Sequence, residues 1–362
     1  MLKSCVLWFP VMVMLAIDLA FAISNILLKK IVNEGMDHLV FITYRQSISA
    51  LFLAPLAYFL ERRSRPKLTS TILCHLFLSA IIGASLTQYL FLLGLEFTSA
   101  TFSCAFLNMV PVVTFLMALP FGLETLNIRH RSGVAKLVGA VVCLGGAVLL
   151  TLYKGMPLVN KSMEQLQRNS SFGSERWAVG SVALFAGTFL WSSWFLLQSN
   201  IAKKYPCQYS TTAIMTCFSA IQSAILCLSI DRRKFSSCWA LTTSDIFIII
   251  YAGMVGSGLC FVGMSWCVKK KGPVFTAAFS PLVQIMAATI DVPVLHEQLH
   301  LGSLIGSVTV MMGLYILLWG KDKEIQIRDT QLGQQTEGLK EPEAQFQVLK
   351  LIYVETERAP QA

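Results

Sequence analysis

Asp18 and Arg45 are the residues of this sequence whose chemistry is hardest to accommodate. Asp18 stands about eleven residues into an apolar run that ends near Leu28, and Arg45 about six residues into the next run. A carboxylate near the middle of a bilayer costs a few kcal/mol at least, so it must face a cavity, a partner or a ligand. At about 1.5 Å of helix rise per residue, the depths of the two charges differ by roughly 6 Å, which an arginine side chain spans. The pair can therefore be a structural staple between two helices, a proton site, or the charged part of a substrate site.

Further polar residues fall on two narrow faces. Thr101, Cys104, Asn108 and Pro111 lie three or four residues apart, and Thr276, Ser280, Gln284 and Asp291 repeat at spacings that also keep one helical face. Asn108 and Ser280 each stand about eight residues into their apolar runs, or roughly 12 Å deep. Pro111 and Pro281 each free a backbone carbonyl nearby. Gln88 adds an amide, and Trp191 and Trp194 add broad rings at a depth that tryptophan rarely takes, since it prefers the interface. These types suit a site for a small polar solute. The plainer alternative is hydrogen bonding between packed helices.

One pattern suggests hydrolysis. His296-Glu297-Gln298-Leu299-His300 matches H-E-x-x-H, in which two imidazoles one turn apart hold zinc and the glutamate acts as base. Against an intramembrane zinc protease, Glu297 is matched elsewhere in the chain by Glu124, whose neighbours carry no corresponding histidines. Gly302 also follows closely, in what reads as a loop or helix end. Asp291 is only one helical turn away, whereas a third ligand usually comes from elsewhere in the fold. The sequence has no phosphate-binding loop for ATP-driven pumping. No metal or other cofactor is expected.

The elements that must position these residues are membrane spans. Of 362 residues 55% are hydrophobic and 14% charged, with mean hydropathy +0.62, far from the quarter charged that soluble domains carry. Apolar runs of about twenty residues recur along the whole chain. They predict ten helices, at approximately 7–28, 39–60, 72–95, 100–121, 133–152, 178–200, 208–230, 246–268, 273–294 and 302–320. The chain also repeats itself. Gly83 to Glu124 slides by about 173 positions onto Gly256 to Glu297, with Phe102 on Phe275 and Pro120 on Pro293. The register slips slightly outside that window, where Glu61-Arg62-Arg63 meets Asp231-Arg232-Arg233 and Gly139, Gly146 and Lys154 meet Gly306, Gly313 and Lys321.

The expected fold is thus an all-α membrane protein of ten transmembrane helices in two five-helix repeats. The repeats span 7–152 and 178–320, after a short tail at 1–6, with a polar loop at 153–177 between them and a polar tail at 321–362. Five spans per copy invert the second copy relative to the first, an architecture that secondary transporters use with the substrate near mid-membrane. Lys3, Ala20, Phe21 and Ala22 imitate a signal peptide, but the apolar run continues past them and is read as a span. Net charge +9 resides in short loops, where it sets topology and does not imply nucleic acid. The bias favours both termini in the cytosol, with Asn160 and Asn169 outside as glycosylation acceptors. The ten cysteines include no C-x-x-C, and most lie in apolar runs as small packing residues.

Many short motifs, at matching spacing over roughly residues 7 to 321, resemble the plant "walls are thin"-related, nodulin-like branch of the EamA proteins, within the drug/metabolite transporter superfamily. They include Tyr44-Arg45-Gln46, Ala54-Pro55, Asn108 with Pro111, Thr114-Phe115 and Glu124 in the first half. In the second half they include Trp191, Gln198, Tyr205-Pro206, Lys271-Gly272-Pro273, Phe279-Ser280-Pro281 and Trp319-Gly320-Lys321. The resemblance implies a ten-helix carrier of amino acids, auxin and related small organic solutes in a plant plasma membrane, the vacuolar membrane being the second choice. It places Gln88, Asn108, Trp191 and Gln284 at the central cavity. Ala16, Phe21, Asp18 and His296 depart from that pattern. With the residues above, the expected substrate site is Asp18, Arg45, Gln88, Asn108, Trp191, Trp194, Ser280 and Gln284. The expected partners are a small-molecule substrate and the lipid bilayer, with self-association into a homo-oligomer compatible and no nucleic acid. A non-transporting receptor or scaffold is the main rival function.

Overall fold

Apolar runs of about twenty residues, bracketed by charge, leave the backbone one way to satisfy its hydrogen bonds away from water, which is to form helix. In the computed structural model the described residues are 2–33, 36–63, 65–98, 100–124, 130–152, 174–230, 243–295, 305–306, 308–324, 326 and 330. The helices are α1 (Leu2–Asn33), α2 (His38–Glu61), α3 (Ser70–Ser79), α4 (Leu86–Phe97), α5 (Ala100–Ala118), α6 (Arg131–Leu152), α7 (Ser174–Lys204) and α8 (Gln208–Ile230). They continue with α9 (Thr243–Tyr251), α10 (Cys260–Lys271), α11 (Pro273–Ala277), α12 (Ser280–Leu295) and α13 over 308–324. Six helical stretches among the described residues are long and apolar enough to cross a membrane: Trp8–Leu28, His38–Glu61, Ser70–Phe97, Arg176–Lys204, Gln208–Ser229 and Asp245–Lys271. Two shorter apolar helices are Phe106–Ala118 and Pro273–Ala287.

Four departures from the expected helices are local. α3 and α4 are joined by a π turn over Ala80–Ser85, and α9 and α10 by another over Ala252–Leu259. Gly83 and Gly256, matched by the repeat, lie in these two turns. The expected helix 273–294 is broken between α11 and α12, because Pro281 has no N–H to donate and disfavours helix in the residue before it. α5 ends at Ala118, ahead of Pro120 and of Gly122 with its φ of 63°, a left-handed conformation that glycine adopts freely.

Several contacts join helices that the sequence matches between the two halves. α2 packs along α8, the pair that the repeat matches to each other. α4 and α5 pack on α7, as α10 and α12 pack on α1. The first π turn contacts α8 and the second contacts α2. α6 and α13 approach backbone to backbone: a Cβ on Gly139 would stand 2.5 Å from the Leu317 nitrogen, and one on Gly313 would stand 2.5 Å from the Cys143 nitrogen. Gly139 faces the Gly313 carbonyl, and Gly146 faces the Gly306 carbonyl. Small residues of this kind let helices close up where no hydrophobic driving force separates lipid from protein. Large apolar side chains such as Leu51, Phe59, Val182, Phe247 and Tyr315 point outward, as a lipid-facing surface requires.

Polar groups at helix ends tie the bundle together. The Glu61 carboxylate accepts from the backbone nitrogens of Tyr209 (3.0 Å) and Ser210 (2.8 Å) and from the Ser210 hydroxyl (2.6 Å). It thereby satisfies orphan donors at the N-terminus of α8 with an anion. At the junction of α6 and α13, Glu124 accepts from Lys136 at 3.1 Å and from Lys321, while Lys136 also bonds Glu324. Glu124, Lys136 and Lys321 are all buried.

Candidate functional site

The first π turn opens room for an indole. Gly83 has no side chain, and a Cβ built there would lie 2.0 Å from Trp194 Cδ1. Trp194 is fully buried and stacks on Trp191 with centroids 5.0 Å apart and planes 11° from parallel. Phe261 of α10 closes edge-on against both rings, at 5.9 Å from Trp191 and 5.2 Å from Trp194. The sulfur of Met215, on α8, accepts from Trp194 Nε1 (3.5 Å), Ser79 Oγ (3.2 Å) and Gln198 Nε2 (3.6 Å). Gln198 also donates to Ser79 at 3.1 Å. Met215 thus holds the indole through a polarizable acceptor in an otherwise apolar core. Gly83→Ala is expected to destabilise by about 1–3 kcal/mol, since the indole has nowhere to retreat. Thermal melting of the purified protein checks this, and an unchanged melting temperature would contradict the packing.

The second π turn faces a different chemistry. A Cβ on Gly256 would lie 3.0 Å from Ser24 Oγ and 3.3 Å from Arg45 Nη2. The guanidinium therefore lies over this turn as the indole lies over the first. Arg45 Nε is buried without a protein partner, and so are Ser24 Oγ, Ser49 Oγ, Ser257 Oγ and one Asp18 carboxylate oxygen. Asp18 is only 2% exposed. Of the roles open to Asp18 and Arg45, the staple is not formed: the two make no ion pair with each other in this structure. The axial arithmetic sets their depths but not their bearing, and depth alone does not bring two side chains together.

The remaining expected residues are placed as follows. Asn108 is 1% exposed and has no protein partner at either Oδ1 or Nδ2. It lies on α5, which packs against α12, the helix that carries Ser280 and Gln284. Ser280 is half-buried at the α12 start, and the Gln284 side chain lies outside the described ones. Gln88 is half-buried on α4 with Oε1 unpartnered. Around Pro111, Thr188 and Ser192 of α7 donate to the carbonyls of Phe106 (3.3 Å) and Val110 (3.4 Å), so these two α7 hydroxyls serve the backbone of a proline-bearing helix. His296, Glu297 and His300 fall outside the described residues, among which no group of three His, Cys, Asp or Glu is placed to hold a metal.

Sequence reasoning missed Met215 and Ser79, which read as plain core and helix-packing residues. It missed Ser24, which lies over the second π turn, for the same reason. Gln46 was legible only as part of a motif, and it donates at 3.3 Å to the Ala84 carbonyl of the first π turn.

A bundle of long apolar helices around buried polar side chains defines a polytopic membrane protein. The chain belongs to the EamA-like transporter family, whose model matches residues 8–152 and again 178–319. It is similar to WAT1-related proteins of Arabidopsis thaliana. One is 49% identical over 324 residues, covering 88% of each chain, and another is 48% identical over 319 residues, covering 87% of each. A solved crystal structure with 14% identity superposes with a TM-score of 0.64, over 87% of this chain and 98% of its own, and so shares the fold. The chain is accordingly a multi-pass integral membrane protein of a family that transports small solutes, which points to a carrier and not to a hydrolase.

Proposed function

We propose that the chain carries amino acids, or auxin-like organic acids, across the membrane by alternating access between two inverted five-helix repeats at 7–152 and 178–320. The observation that carries this reading is the buried centre: Asp18, Arg45 and Asn108 keep polar atoms without protein partners, at a depth where such atoms are costly unless a ligand uses them. The repeat reading is supported by the reciprocal contacts of α6 with α13, where Gly139 faces Gly313 and Gly146 faces Gly306. A two-fold axis between copies produces exchanged pairs of this kind. Asp18, Arg45, Gln88, Asn108, Trp191, Trp194, Ser280 and Gln284 line the solute path. The plasma membrane is the site of action, with both termini in the cytosol.

Topology offers a direct test. Reporter tags at Met1 and Ala362 are expected on the cytosolic side, and one at Asn169 on the other. Termini on opposite faces would break the ten-span count and the inverted repeat with it.

A further inference from the structure

The end of the bundle that carries Glu61 gathers cations from three helices. Glu61, at the end of α2, bonds the start of α8, and Lys269, near the end of α10, donates to the Pro206 carbonyl at 3.1 Å. The last turns of α2 and α10 thus meet at the short link between α7 and α8. Lys203 and Lys204 close α7 just before that link, and Arg62 and Arg63 follow Glu61. All of these cations are exposed, and none makes an ion pair among the described residues. Glu61 itself is buried and bonded to α8.

The neighbouring charges at this end are arranged differently. A Cβ on Gly272, the residue after Lys271, would stand 3.4 Å from Lys321 Nζ, so the Glu124 cluster lies beside the end of α10. There Lys136 and Lys321 each have a carboxylate. Setting topology needs only a bias in loop charge. It explains neither the convergence of three helices nor the missing counter-charge. The last turns of α2 also fix the depth of the exposed cations. Tyr58, Phe59 and Leu60 point outward there, and the Arg62 guanidinium lies over the Tyr58 ring, 5.2 Å from its centroid. Such rings settle at the headgroup level of a bilayer, where a long cationic side chain reaches the phosphates.

We propose that this surface docks the headgroup of a polyphosphorylated inositol lipid. Such a headgroup concentrates several negative charges on one small ring, which suits cations converging from α2, α7 and α10. Clusters of about four to eight Lys or Arg beside a span bind anionic lipids in this way, and guanidinium forks bond phosphate oxygens in pairs. The surface is separate from the solute path at the centre. In the cell it rests on the topology proposed above, because anionic lipids line the cytosolic leaflet, and the reporter tags decide that point separately.

Short-chain phosphatidylinositol bisphosphate, short-chain phosphatidylserine and poly-L-glutamate are titrated against the purified full chain in neutral detergent, with binding read by thermophoresis. The inositol lipid is expected to bind at least about tenfold tighter than either other probe, and to weaken as salt rises. Arg62→Gln with Lys204→Gln is expected to weaken it at least about tenfold, with the melting temperature unchanged. Arg131→Gln with Lys323→Gln removes two exposed cations from outside the cluster and should leave binding unchanged. Should the first pair fail to fold, Arg63→Gln with Lys203→Gln carries the same comparison. Equal loss in the two kinds of pair would reduce the effect to net charge and overturn the site. Serine lipid binding as tightly as the inositol lipid would also overturn it, and so would polyglutamate, which would favour an acidic protein partner.

Discussion

Glu124→Ala is expected to cost about 3–5 kcal/mol of stability, because it leaves buried charge without compensation. Glu124 is the carboxylate that Lys136 and Lys321 share at the junction of α6 and α13. Without it Lys136 retains Glu324, but Lys321 is left buried with no carboxylate bonded to it among the described residues. Replacing the ion pair with apolar side chains removes the desolvation cost together with the attraction, so Glu124→Met with Lys321→Met should recover most of the loss. Thermal melting of the purified variants checks both. A single variant that melts with the wild type would show that the cluster is solvated and unimportant.

Asp18→Asn is expected to cut transport at least tenfold, which needs only about 1.4 kcal/mol of lost stabilisation in the cycle. The melting temperature should hardly move. Asn is nearly isosteric, and it costs less to bury than a charge that lacks a partner. Since Asp18 forms no ion pair with Arg45 among the described residues, the substitution strands no cation. Unimpaired flux would remove Asp18 from the solute path. A collapse in folded protein that Arg45→Met repairs would instead establish a staple formed in another state of the carrier.

The long spans were legible because each is an extended apolar run, and the likeness of the two halves because Gly83 to Glu124 recurs as Gly256 to Glu297; the family model likewise matches each half. The π turns were not. One extra residue in a turn shifts the helical phase without changing the apolar composition, and both turns lie inside unbroken apolar runs. Asp18, Arg45 and Asn108 were legible because ionisable and amide groups stand out in hydrocarbon. Their mutual bearing was not, because depth along a helix says nothing about rotation about its axis. Met215 was hidden by its type: a thioether reads as apolar, and only its three donors, Trp194, Ser79 and Gln198, reveal its role.

The most direct test of transport is flux through the purified chain in liposomes. Radiolabelled uptake and efflux should be measured against a panel of amino acids and indole-3-acetate. At least one solute of the panel should cross faster than in protein-free vesicles, saturate with concentration, and slow at least tenfold with Asp18→Asn. A correctly folded protein that moves no member of the panel in either direction would contradict the carrier reading and favour a receptor or scaffold.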